Sequence, residues 1–223
     1  MKLVRLLDLG RRPYRDVWDL QRDLHARVAG GEAPESWIVV EHTPVVTLGR
    51  NAKASNLNFS PESLAGRGID VFSVERGGDV TYHGPGQLVV YPIRKLERFR
   101  EIVPLVRALE AAVIQTCASF GVASERWSDH AGVWIGANQI CAIGLAIKKM
   151  TSLHGIALNV STDLNYDRLI TPCGLPNRGI TSLTKEARAP IELTVAKNAL
   201  LESLEREFGI RFSSSASGLE LAS

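Results

Sequence analysis

The sequence has few cysteines and lacks the spacing patterns of common metal sites. Three cysteines among 223 residues, with no Cys-x-x-Cys pair, argue against a disulfide framework and a zinc site and fit a reducing cytoplasm. The five histidines show no His-x-His or His-Glu-x-x-His spacing, so no metal is predicted. A net charge of +2 gives no reason to expect a nucleic-acid or membrane partner. We also expect no signal peptide and no membrane span.

The composition is that of a globular protein, with 45% hydrophobic and 22% charged residues. Predicted strands come in groups with few intervening helices, which indicates an α+β fold with a mixed β-sheet flanked by helices. The predicted strands are 3–9, 37–40, 45–48, 71–74, 87–93, 132–135, 139–147, 155–160 and 210–212. Helices are predicted from Pro13, Pro61, Pro104 and about Thr194. We expect one catalytic domain over residues 1–212 and a flexible tail over residues 213–223.

Cys173 lies in a different setting from the other two cysteines. Cys117 and Cys141 stand among apolar residues and are predicted to be small core residues. Pro172 and Gly174 flank Cys173, which predicts a surface turn where chemistry is accessible. Such a thiol is either a candidate nucleophile or a loop cysteine without a role.

The glycine-rich segment 75–87 is the second candidate. Four glycines and a proline lie between two predicted strands, and glycine lets the backbone approach a ligand closely. Arg76 and His83 add a fixed cation and a titratable imidazole. The alternative is a tight hairpin rich in turn residues. The segment has neither Walker A nor Gly-x-Gly-x-x-Gly spacing.

Two further positions carry open alternatives. His154, before the small residues of the strand that follows, is either catalytic or a satisfied structural histidine. Gly144, inside an apolar strand, marks a ligand contact, a bulge or tight packing. A binding loop combined with a nucleophilic thiol suggests acyl transfer through a thioester.

Several motifs together resemble the lipoyl(octanoyl) transferase family. They follow in order along the chain: Glu41-His42-Thr43-Pro44, Thr47-Leu48-Gly49-Arg50, Arg76-Gly77-Gly78-Asp79-Val80-Thr81-Tyr82-His83-Gly84-Pro85-Gly86-Gln87, Gly132-Val133-Trp134, Leu153-His154-Gly155, Ala157-Leu158-Asn159 and Pro172-Cys173-Gly174. The resemblance implies the fold of biotin and lipoate protein ligase catalytic domains.

The resemblance also implies an activity. Such acyltransferases take an octanoyl group from acyl carrier protein, hold it as a thioester on the cysteine matching Cys173, and need no cofactor. They pass it to a lysine of a lipoyl domain, as in 2-oxo acid dehydrogenases, or of the glycine cleavage H protein. The implied substrate-binding residues are Arg76, Gly77, Gly78, Asp79, Val80, Thr81, Tyr82, His83, Ala142, Ile143, Gly144, Gly155, Ile156 and Ala157.

The chain departs from the family pattern at Gln139. The family has a lysine here, which is credited with lowering the pKa of the cysteine. An amide can hydrogen-bond a thiolate but supplies no positive charge. Lys148 and Lys149 are predicted to lie at the far end of the same strand and are not expected to substitute directly, whereas His83 or His154 could. Natural variation, an altered proton relay and an engineered substitution all remain open as explanations of Gln139.

Two other functions stay open at this point. One is an ATP-dependent lipoate or biotin protein ligase, against which both Gln139 and the Pro-Cys-Gly motif argue. The other is a carrier-protein-binding homologue with impaired turnover, for which Gln139 is the support.

Overall fold

The computed structural model describes residues 1–128, 130–170 and 178–214. The helices in these ranges are α1 Tyr14–Gly30, α2 Pro61–Ala65, α3 Ile102–Ser119, α4 Leu183–Ala187 and α5 Leu193–Phe208. The strands are β1 Lys2–Arg12, β2 Ser36–His42, β3 Val45–Leu48, β4 Asp70–Ser73, β5 Val80–His83, β6 Gln87–Ile93, β7 Glu125–Arg126, β8 Gly132–Ile135, β9 Asn138–Lys148, β10 Thr151–Asn159, β11 Gly179–Ile180 and β12 Ile210–Ser214. Short 3-10 helices occupy Ala54–Asn56, Phe99–Glu101 and Leu164–Leu169.

Two sheets form the frame of the molecule. The large sheet has the order β12-β1-β2-β6-β10-β9-β8-β7, with β11 beside β9. Its β12, β1 and β2 are parallel, whereas β2, β6, β10, β9, β8 and β7 pair antiparallel. The small sheet has the order β4-β3-β5. A mixed sheet flanked by helices confirms the predicted α+β class.

The large sheet is buried on both faces. Side chains alternate along its strands, so the two faces contribute to separate core clusters. On one face Val39, Val90 and Leu158 pack against α3 and α5 in the largest core cluster. On the other face Val40 and Val89 pack against α1. The buried residues of α1 recur at helical spacing as Val17, Leu20, Leu24 and Val28.

The helix α1 begins one residue after the predicted start at Pro13 and ends at the predicted glycines. Pro13 is its N-terminal cap residue, and Gly31 ends it in the left-handed conformation with a φ of +81°. Its first turn places the buried ring of Tyr14 near the small sheet, where it stacks with Phe72. The N-terminus of α1 therefore lies between the two sheets.

The helical stretch Phe99–Ser119 is long and apolar enough to cross a membrane by length and composition, which the sequence analysis did not expect. In the structure Leu105, Leu109 and Val113 of α3 are buried in the core formed with α5 and the large sheet. Only 39% of this stretch is buried, on the face toward the core, and the core helix of a globular protein can have the same length and composition.

Three boundaries differ from the predictions. The segment predicted as a continuous glycine-rich loop contains β5, which pairs antiparallel with β3. The helix predicted from Pro104 begins two residues earlier at Ile102. The strand β12 pairs with β1 as far as Ser214, two residues beyond the predicted domain end at residue 212. Residues 215–223 of the predicted tail lie outside the described residues.

Candidate functional site

A pocket lies between the two sheets, with an empty volume of about 980 Å³ including its open mouth. Its floor is formed by β9 and β10, its opposite wall by β5, and Tyr14 of α1 borders it.

Most of the residues predicted from the sequence line this one pocket. They are Arg76, Gly78, Asp79, Val80, Thr81, Tyr82, His83, Gln139, Ala142, Ile143, Gly144, His154, Gly155, Ile156 and Ala157. Gly77 is not among the lining residues; its backbone N–H donates to the Leu145 carbonyl at 2.9 Å and ties the loop to β9. Cys173 lies outside the described residues, but Ile170 and Ile180, on either side of that segment, both line the pocket.

Arg76 is a buried cation held by oxygen atoms of the small sheet. Its Nη2 donates to the Thr47 carbonyl at 2.7 Å and to Thr47 Oγ1 at 2.9 Å, and its Nη1 donates to the Gly77 carbonyl at 3.0 Å. A Cβ on Gly144 would lie 3.1 Å from Arg76 Cδ and 3.2 Å from the Gly77 carbonyl oxygen. Of the alternatives for Gly144, tight packing is therefore present, and the residue also lines the pocket.

Asp79 organises the glycine-rich loop. Its Oδ1 accepts from the backbone N–H of Val80 at 2.8 Å and of Lys53 at 3.3 Å, and its Oδ2 accepts from Asn56 Nδ2. Gly78 has a φ of +83°, a region that favours glycine. The loop conformation is thus fixed by a carboxylate and a glycine before any ligand is bound.

His83 is buried in the pocket wall with one ring nitrogen engaged. Its Nδ1 lies 2.8 Å from Gln87 Oε1, and its ring stacks with Tyr14 at a centroid distance of 6.0 Å. Burial lowers the pKa of His83 to about 3, with further contributions from the nearby His42 and Arg76. The imidazole is therefore neutral at physiological pH.

A β-bulge at Ile140 determines which way Gln139 faces. The pairing of β8 with β9 shifts by one residue between Val133, opposite Cys141, and Trp134, opposite Gln139. Ile140 and Cys141 consequently both enter the same core, whereas Gln139 and Ala142 both line the pocket. If residues 139–142 alternated strictly, with no bulge, residue 139 would face the core.

The space for the Gln139 side chain depends on Gly132. Gly132 has a φ of +135°, and a Cβ there would lie 2.7 Å from Gln139 Nε2. Its backbone N–H donates at 3.1 Å to Glu110, a fully buried carboxylate of α3 that also pairs with Arg107 at 2.8 Å. Gln139 is buried, with 8% of the residue exposed.

His154 lies in a different electrostatic setting from His83. Its φ is +59°, which is unusual for a residue with a side chain, and its backbone N–H donates to Gln21 Oε1 at 2.9 Å. Its Nε2 lies 3.5 Å from Glu75 Oε2. The contact with His154 lowers the pKa of Glu75 below its usual range, and burial lowers the pKa of His154.

The lysines at the far end of β9 stay away from Gln139, as the sequence predicts. Lys148 pairs with Thr151 at the β9–β10 turn, and its Nζ lies 3.8 Å from Glu75 Oε1. Lys149 follows at the turn with a φ of +47°. Lys148 lies nine positions after Gln139 on the same strand, a length of about 30 Å.

The two described cysteines are core residues, as predicted. Cys117 and Cys141 are fully buried in the cluster under α3. Burial raises the pKa of Cys117 to about 11 and raises that of Cys141 further. Neither thiol is accessible or ionised enough to act as a nucleophile.

Several lining residues were missed by the sequence analysis. They are Tyr14, Gln87, Val89, Tyr91, Ala131, Asn159, Thr162, Tyr166, Ile170 and Ile180. Gln87 and Asn159 end motifs that were recognised, so their position offered a signal. Tyr14, on a helix more than 60 residues before the loop, offered none.

Comparison with known proteins identifies close relatives over most of the chain. The lipoyl protein ligase A/B catalytic domain family matches residues 13–205. The octanoyltransferase of Acidobacterium capsulatum is 43% identical over 221 residues, covering 93% of this chain and 89% of its own. The octanoyltransferase of Syntrophobacter fumaroxidans is 45% identical over 181 residues, covering 81% of this chain and 79% of its own.

Solved structures share the fold at much lower identity. A lipoate-protein ligase A bound with ATP superposes with a TM-score of 0.83 at 18% identity, covering 99% of this chain and 91% of the other. A bipartite lipoate protein ligase from Thermoplasma acidophilum, studied with its E2 lipoyl domain, gives 0.75 at 19% identity, covering 99% and 89%. A biotin protein ligase from Aquifex aeolicus gives 0.52 at 10% identity, covering 93% and 69%. The chain belongs to the lipoyl protein ligase A/B catalytic domain family and, within it, to the octanoyltransferases.

Proposed function

We propose that this protein is the octanoyltransferase that moves an octanoyl group from acyl carrier protein to a lysine of a lipoyl domain, working in the cytoplasm without a cofactor. The observation that carries the proposal is one pocket that joins an apolar strand floor to His83 and Gln139. The same pocket is bordered by Ile170 and Ile180, the described residues nearest to Cys173 that line it. The octanoyltransferase relatives support the acyl group and the reaction.

The first half-reaction places the acyl group on Cys173. The thiolate attacks the carbonyl carbon of the donor thioester, a new S–C bond forms, and the carrier's thiol leaves. The proton lost by Cys173 is taken up by the departing thiolate, so the exchange is balanced. The alkyl chain then lies along the floor formed by Ala142 and Ala157, whose small side chains leave room for it.

The second half-reaction transfers the acyl group to a lysine amine. Nitrogen attacks the Cys173 thioester, the C–S bond breaks, and the amine must lose a proton. His83 is better placed than His154 to receive it, because His154 Nε2 already faces Glu75. His83 is neutral, and its Nδ1 alone is engaged by a protein group among the described residues.

Two alternatives are disfavoured by particular residues. An ATP-dependent ligase shares the fold, but Gln139 supplies no positive charge in the pocket, and relatives that are 43% and 45% identical are octanoyltransferases. A carrier-binding homologue without turnover would not need a neutral histidine in the pocket wall. The Thermoplasma ligase was studied with its E2 lipoyl domain, which supports a lipoyl domain as the acceptor. The acceptors we propose are the lipoyl domains of 2-oxo acid dehydrogenases and the glycine cleavage H protein.

Intact mass spectrometry tests the proposal. Mixing the protein with octanoyl-acyl carrier protein, with and without ATP, should add one octanoyl mass that is independent of ATP and labile to hydroxylamine. Adding a lipoyl domain should then move that mass to the domain. Cys173→Ser should abolish the labile adduct, whereas the matched control Cys117→Ala should keep it because Cys117 is buried in the core. A labile adduct that survives in Cys173→Ser, or that forms only with ATP, would overturn the assignment.

A further inference from the structure

The side-chain amide of Gln87 has an orientation that the surrounding oxygens fix. Its Nε2 donates to the backbone carbonyl of Tyr82 at 3.2 Å and to Asn159 Oδ1 at 2.9 Å. A backbone carbonyl can only accept, so the amide atom that faces it must be the NH₂ group. Gln87 Oε1 therefore points the other way, toward His83.

The orientation of Gln87 determines where the proton sits on His83. Oε1 has no hydrogen, so a hydrogen bond at 2.8 Å requires that His83 Nδ1 carries the proton and donates it. In a neutral imidazole the other nitrogen is then an unprotonated acceptor. Within the described residues Nε2 makes no hydrogen bond, and the ring borders the pocket.

We propose that Gln87 is a positioning residue that holds His83 in the Nδ1–H tautomer and so keeps Nε2 unprotonated toward the pocket as the proton acceptor of the transfer reaction. This inference rests on the proposed function for the identity of the reaction, but the tautomer itself does not. The amide plays the part that a carboxylate plays in a serine protease triad, without adding a charge.

Because the Gln87 amide is neutral, it does not favour a second proton on His83 as a carboxylate would. The rings of Tyr14 in α1 and His42 in β2 pack against His83. Arg76 and His154 are also near enough to disfavour a positive charge on its ring. The described neighbours thus supply no negative charge that would hold a proton on the ring. A neutral amide fixes the tautomer while burial keeps the imidazole free of a second proton.

The tautomer can be read directly from long-range ¹H–¹⁵N correlation spectra of the ¹⁵N-labelled full chain. The His83 ring signals are assigned by their loss in His83→Asn. We expect the Nδ1–H pattern between pH 6 and 8 in the wild-type protein. Gln87→Leu should lose this fixed pattern and slow octanoyl transfer at least about 10-fold, because general-base catalysis contributes about 10²- to 10⁴-fold.

Two more variants separate positioning from a general loss of structure. Gln87→Glu keeps an acceptor for Nδ1–H, so it should keep the tautomer and raise the pH at which His83 becomes protonated. The matched control Gln115→Leu removes an amide of α3 that donates to Glu207, far from the pocket, and should leave the His83 signals unchanged. If Gln87→Leu does not fold, the wild-type spectrum and Gln87→Glu still decide the question.

A wild-type Nε2–H pattern, or an unchanged pattern in folded Gln87→Leu, would refute the inference. An unchanged transfer rate in Gln87→Leu, despite a changed tautomer, would refute the role of Gln87 in transfer. The spectra need no substrate, so a protein that shows Nδ1–H but gains no octanoyl mass would refute the proposed function instead.

Discussion

Replacing Gln139 by lysine would place a positive charge in the pocket at a position whose direction is fixed by the bulge at Ile140. Residue 139 is 8% exposed, so the charge would be poorly screened by solvent. For an assumed separation of about 5 Å, an ammonium stabilises a thiolate by about 3 kcal/mol at an effective dielectric of about 20. Burying the lysine offsets part of this, and we expect the pKa of Cys173 to fall by about one unit.

The magnitude decides which measurement is most informative. A fall of one unit raises the thiolate fraction at pH 7 about 10-fold, but a less basic thiolate is also a weaker nucleophile, with a Brønsted slope of about 0.5. The alkylation rate at pH 7 should therefore rise only about 3-fold. The midpoint of the pH profile of alkylation, which should move down by the full unit, is the sharper readout.

The assay is iodoacetamide labelling of the folded protein from pH 5 to 10, followed by intact mass. Cys117 and Cys141 should not be labelled by iodoacetamide because both are fully buried. Gln139→Met is the matched control, since it has a similar length and no charge, and its profile should equal that of the wild type. If the midpoint for Gln139→Lys equals that for Gln139→Met, residue 139 does not face the thiol of Cys173 and the reasoning is wrong.

Two further predictions concern stability. Gly155→Ala should lower the free energy of unfolding by about 1–3 kcal/mol in urea denaturation, because its Cβ would lie 2.0 Å from the Val90 carbonyl oxygen; unchanged stability would show that β10 and β6 can separate without cost. Stability should also fall as pH drops below about 6.5, because burial lowers the folded-state pKa of His42 to about 4 and of His83 to about 3, so that the unfolded chain binds protons first. The loss should reach about 2 kcal/mol per histidine by pH 5, and His42→Gln should make the pH dependence shallower; an unchanged slope in that variant would contradict the low pKa of His42.

The elements that the sequence predicted well are those whose signals are local. The strand β6 has the predicted bounds because a continuous apolar run lies between turn residues. The helix α1 ends where predicted because Gly31 adopts a left-handed conformation that favours glycine. Local conformational preference and burial periodicity are sufficient in both cases.

The features that escaped prediction depend on partners that are distant in the chain. The strand β5 lies within a glycine-rich segment and is stabilised by pairing with β3, more than 30 residues earlier. The bulge at Ile140 is hidden because residues 140–147 form one apolar run, in which a break of alternation leaves no trace. The pocket wall contributed by Tyr14 required knowledge of how α1 docks between the sheets.

The family resemblance gave the residues of the pocket but not their separate roles. Arg76 and Asp79 are tied into the small sheet and its loop by hydrogen bonds, whereas His83 retains one ring nitrogen without a protein partner among the described residues. Sequence spacing cannot distinguish these cases because it does not show where a side chain's hydrogen bonds are made.

The bulge in β9 sets the direction of the side chain at position 139 independently of which residue stands there. Its direction is set by the backbone and by two neighbours, Ile140 and Cys141, that are anchored in the core. An exchange of lysine for glutamine at residue 139 thus changes the charge offered to the substrate without altering the packing below. Deleting Ile140, by contrast, would leave residue 139 next to Cys141, so regular alternation would still direct residue 139 to the pocket, and the cost would be the loss of a fully buried core side chain.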